Sequence, residues 1–93
     1  MTNTLAAIAT AYDNTGETYF KRTTDEATVF TFFGPTRAIK TTVNADSNIA
    51  TIETILDSGD HLTRYGKEVD FSTNVETKAA ELENMLTAAK ENN

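Results

Sequence analysis

Along residues 26–33, EATVFTFF, apolar groups occupy both parities of the chain. On a strand, successive side chains point to opposite faces. Val29 and Phe33 therefore fall on one face, and Phe30 and Phe32 on the other. A strand that is apolar on both sides needs two covers. What supplies the second bears directly on function.

The surrounding pattern predicts a β-meander. Glu17–Thr23 leads through a Thr24-Asp25 turn into Glu26–Phe33, and Gly34-Pro35-Thr36 turns the chain again into Arg37–Val43. Two tight connections in succession imply antiparallel neighbours. Residues 49–56, IATIETIL, fit either period: Ile49, Ile52 and Leu56 share a helical face, with Ser47 as a candidate cap. The Ile and Thr content, and the turn-like Asp57-Ser58-Gly59-Asp60 before HLTRY, favour a strand.

Helical spacing appears at both ends. Leu5, Ile8 and Tyr12 mark a short helix over residues 3–12, with Thr2 or Asn3 as cap and Gly16 beyond its end. Near the C-terminus, Val75, Ala79, Leu82, Leu86 and Ala89 make one stripe with Met85 beside it, and Thr73 with Glu76 reads as a capping box. The stripe is too short for an independent coiled coil, so the helix is expected to dock on the sheet. The expectation is a single α+β domain over residues 1–93: an antiparallel meander of four to five strands, a short N-terminal helix and a longer amphipathic C-terminal helix docked on the sheet. One covered face leaves an aromatic set over. Phe30 and Phe32, joined by Tyr19 and Tyr65, are the expected exposed patch.

Composition sharpens this picture. Only 39% of the 93 residues are hydrophobic, which suggests a thin core, and eighteen are threonine, which suits pleated surfaces. Cysteine is absent, excluding disulfides and thiolate metal sites. The first residues, MTNTLAAIATAYD, lack the basic start and apolar run of a signal peptide, and no apolar run approaches membrane-spanning length. A soluble, cytoplasmic protein is expected.

The net charge of −6 is unevenly placed. Residues 1–43 balance four acids against four bases, whereas residues 44–93 carry ten acids against Arg64, Lys67, Lys78 and Lys90. All the excess negative charge lies in the second half. That disfavours direct contact with nucleic acid or an anionic membrane and favours a basic partner.

Candidate chemistry is sparse. His61 is the single histidine, and no HxH or HExxH spacing accompanies it. There is no G-x-S-x-G elbow for a nucleophile, and the four glycines are too scattered to cradle phosphate. Tyr19, Phe20, Lys21, Arg22, Arg37 and Lys40 could make an aromatic-basic surface for single-stranded nucleic acid, but the net charge opposes it. The sequence predicts no enzyme, metal or cofactor. It predicts a non-catalytic acidic protein-binding module: a small phage-type inhibitor that occupies the basic, nucleic-acid-binding groove of a larger protein by mimicry. Glu53, Asp57, Asp60, Glu68, Asp70, Glu76, Glu81 and Glu83 are the candidate contact residues. The alternative is a self-associating structural protein, a homodimer formed through Phe30, Phe32, Tyr19 and Tyr65.

Overall fold

The computed structural model describes residues 4–57 and 59–91. Helix α1 (Thr4–Asp13) precedes strands β1 (Phe20–Thr23), β2 (Ala27–Phe33), β3 (Arg37–Asn44), β4 (Ile49–Asp57) and β5 (Leu62–Asp70), and helix α2 (Val75–Glu91) closes the chain. The strands form one sheet in sequence order, each antiparallel to the next. This is the α+β meander that the pattern predicts, with five strands. Residues 49–56 are strand. β5 runs well past HLTRY to Asp70, so β4 and β5 make a long hairpin of nine-residue strands. Part of its turn, Ser58, and the expected α1 caps Thr2 and Asn3 lie outside the described residues.

Both helices cover the same sheet face. α2 lies over β2 and β3, α1 lies over β2, and the two helices pack on each other. Beneath them Phe30, Phe32, Ile39, Val43, Ala50 and Ile52 join Ile8, Tyr12, Leu82, Leu86 and Ala89 in one apolar core. Tyr12 is the polar centre of that core. Its ring stacks on Phe30 at 5.2 Å, and its hydroxyl lies 2.8 Å from Thr41 Oγ1. A buried phenol needs such a partner, because an unpaired buried hydroxyl is costly. Burial pushes the Tyr12 pKa up to about 12, opposed by its hydrogen bonding with Thr41.

Close approach between layers depends on Gly34 in the β2–β3 turn. A Cβ there would collide with the Ala89 carbonyl oxygen, so a larger residue would push α2 off the sheet. At the same end of α2, Lys90 Nζ donates to the Thr15 carbonyl at 2.7 Å and sits 4.0 Å from Glu17. That contact ties the last helix to the loop after the first.

Two local expectations need correction. Leu5 is 40% exposed, and the buried side of α1 is instead Thr4, Ile8, Ala11 and Tyr12. The start of α2 also shifts: Asn74 adopts a left-handed φ of 52°, and its carbonyl accepts the first helical hydrogen bond, from Lys78 N–H at 3.0 Å. Asn tolerates that conformation, whereas a β-branched Thr does not. The Thr73 hydroxyl instead accepts from Lys78 Nζ at 3.4 Å.

Candidate functional site

The uncovered face of the sheet can be read off the strand registers as rows running across the strands. One row is Phe20, Thr31, Lys40, Glu53 and Gly66; the next is Arg22, Val29, Thr42, Thr51 and Glu68. On the other side of the first lies Phe33, Ala38, Ile55 and Arg64. These rows correct the expected aromatic patch. Phe30 is 0% and Phe32 3% exposed, because α1 and α2 land on their face. The aromatics left outside are Phe20 and Phe33, 61% and 64% exposed, with ring centroids 5.8 Å apart in an edge-on pair. The two sit on neighbouring strands, so finding the pair required the β1–β2 register. Half the signal was local, since Phe33 has the opposite parity to Phe30 and Phe32.

Tyr19 and Tyr65 do not join that pair. Tyr19 packs beside the core, and its hydroxyl donates to Asp13 Oδ1 at 2.6 Å. Donation to that carboxylate raises the Tyr19 pKa. Tyr65 stands at the register position opposite Thr54, on the helix side of β5, and is exposed because neither helix reaches it.

Charge divides the open face into two halves. On β1–β3 it carries Arg22 and Lys40. On β4–β5 it carries Glu53, Asp57, Glu68 and Asp70 against Arg64. A shallow groove of about 620 Å³ marks the basic half, lined by Phe20, Lys21, Arg22, Val29, Thr31, Phe33 and Lys40. Three of the six aromatic and basic residues noted in the sequence thus share the open face: Phe20, Arg22 and Lys40. Lys21 has the opposite parity, and its ammonium lies over the Phe30 ring on the helix side, 5.8 Å from the centroid.

The eight candidate acids do not form one surface. Glu76, Glu81 and Glu83 belong to α2, in the layer behind the sheet, and Asp60 lies in the β4–β5 turn. Several have local structural work. Asp57 Oδ1 accepts the Gly59 N–H at 2.9 Å, and Glu83 accepts Asn14 Nδ2 at 3.0 Å. Asp70 Oδ1 accepts the Ser72 N–H at 2.8 Å, and hydrogen bonding to Ser72 holds its carboxyl below the usual range. Glu53 and Glu68 remain as the two open-face carboxylates outside these local turns.

Among the described residues no cluster of histidine, aspartate and glutamate is arranged to hold a metal ion, and no helix is long and apolar enough to cross a membrane. No known family model matches the chain, and neither a curated protein nor a solved structure matches it.

Proposed function

We propose that the protein is a non-catalytic interaction module of the cytoplasm that presents the acidic face of its β4–β5 hairpin to a basic protein surface. The observation that carries this reading is the placement of Glu53 and Glu68 on the face of the β4–β5 hairpin opposite the helices. β5 is exposed along nearly its whole length, with only Val69 half-buried. A rigid pleated ribbon pre-positions its carboxylates, so little side-chain order has to be imposed on binding. Opposed charge then steers encounter and fixes orientation. A cationic groove that ordinarily holds nucleic-acid phosphates is one surface of this chemistry, and a module seated there acts as an inhibitor.

The test compares two baits in a capture experiment from lysate of the source cells, at low and high salt. One is the wild-type chain and the other carries Glu53→Lys and Glu68→Lys. The expected result is a protein with a basic binding surface that the wild type retains at low salt, releases at high salt and loses with the charge reversal. Equal capture by both baits would overturn the reading.

A further inference from the structure

We propose that the basic surface fitted by the hairpin carboxylates is the β1–β3 half of the same sheet face on a second copy, giving a two-fold face-to-face dimer. This rests on the reading of the hairpin as the binding element and names its partner.

Registry between the two sheets sets the pairing. A two-fold axis lying between two sheets and close to the direction of β3 places β1 over the partner's β5, β2 over its β4, and β3 over β3. Row then meets the same row reversed. In the row Arg22, Val29, Thr42, Thr51, Glu68, the guanidinium of Arg22 faces the partner's Glu68, and Val29 faces the partner's Thr51. In the row through Lys40, the exposed ring of Phe20 faces the partner's Gly66, the one open-face position of β5 with no side chain. In the third row Phe33 meets the partner's Ile55, and Ala38, only 8% exposed among its neighbours, leaves the axis free of a bulky side chain that would hold the sheets apart.

Size and charge agree with this arrangement. Strands of 4, 7, 8, 9 and 9 residues, at about 3.3 Å per residue and about 4.8 Å apart, make a face of roughly 600 Å², which over two copies reaches the lower end of the range for a specific interface, about 1,200 Å². The groove beside the Phe20–Phe33 pair receives the partner's Glu53 over Thr31 and its Ile55 against Phe33, and its lining combines aromatic, apolar and basic groups. The single like-charge meeting is Lys40 with its twin at the axis. Each is flanked along its own row by Glu53. Aligned sheets cross at about 30°, which displaces the outer strands by a residue or so, and Arg22 and Glu68 are long enough to span that offset.

Sedimentation equilibrium of the purified chain from about 5 to about 500 μM, a range covering micromolar association, tests this directly. The wild type is expected to dimerise. Arg22→Glu alone and Glu68→Arg alone should each weaken the dimer by about tenfold or more, because each substitution acts twice across the axis. The double variant R22E/E68R should recover most of that loss, since the pair is restored with its signs exchanged. Arg22 and Glu68 are both exposed in the monomer, so circular dichroism should show these variants folded. A monomer at every loading overturns the self-pairing, including one that retards a single-stranded oligonucleotide through the Phe20–Phe33 groove. The hairpin reading is then still judged by its own capture experiment. A double variant no tighter than the single ones overturns the registry. A dimer that survives reversal of both Glu53 and Glu68 overturns the registry and the hairpin reading together.

Discussion

β2 and β5 belong to one meander, yet they live in different environments. β2 alternates between buried and half-buried positions from Ala27 to Phe32 beneath two helices, with only Phe33 exposed, whereas β5 is exposed on both faces over most of its length. The sequences carry the contrast. β2 reads ATVFTFF, apolar on both parities, and β5 reads LTRYGKEVD, with four charged residues and a central glycine. Apolar burial is what stabilises a domain this small, so the free energy of folding resides in α1, α2 and β2–β4. β5 is held mainly by its ladder to β4. The lesson is a division of labour: one part of the sheet makes the fold, and the other presents a surface.

Removing a core anchor breaks the comparison most sharply. Phe30 touches both Tyr12 and Tyr19, with ring centroids 5.2 and 6.3 Å away. Phe30→Ala is expected to cost about 3–5 kcal/mol by urea unfolding, since it removes a large side chain from beneath both helices. A loss below about 1 kcal/mol would mean that the Phe30 face is not the covered one.

The second prediction uses pH. The Tyr12 pKa is raised from 10.0 to about 12 by burial. The folded state therefore holds its proton where the unfolded chain has released it. Stability from this group is complete below pH 10 and is lost as pH rises towards 12, by about 3 kcal/mol in all. Alkaline urea titrations should show that decline and lose most of it in Tyr12→Phe. An identical decline in Tyr12→Phe would move the titrating group elsewhere.

These anchors also explain what the sequence could and could not disclose. The meander was legible because each hairpin is encoded by adjacent strands and a short turn, as at Gly34-Pro35-Thr36. The α2 stripe was legible because its period is local; Leu82, Leu86 and Ala89 are all buried. The covered face was not. Val29 with Phe33 and Phe30 with Phe32 are near-equivalent as apolar sets, and the choice between them rests on distant contacts. Tyr12 reaches Thr41 across 29 residues, and the Ala89 carbonyl has room only because residue 34 is glycine. The acids were likewise legible as a charge excess. Their division between the sheet face and α2 depends on which layer each element joins, and local pattern does not carry that.

The smallest expected effect sharpens the comparison from the other side. Tyr65 is as large as Phe30, lies in the same sheet and is 58% exposed on the helix side of β5, away from the face proposed to pair with a second copy. Tyr65→Ser should change unfolding free energy by no more than about 0.5 kcal/mol, because truncating a mostly exposed side chain leaves no cavity. The same variant should leave sedimentation behaviour unchanged, since Tyr65 has the opposite parity to Arg64, Gly66 and Glu68. A loss comparable to that of Phe30→Ala would mean that something covers this side of the hairpin in solution. A loss of association without a loss of stability would instead move the interface from the open face to the helix side of β5.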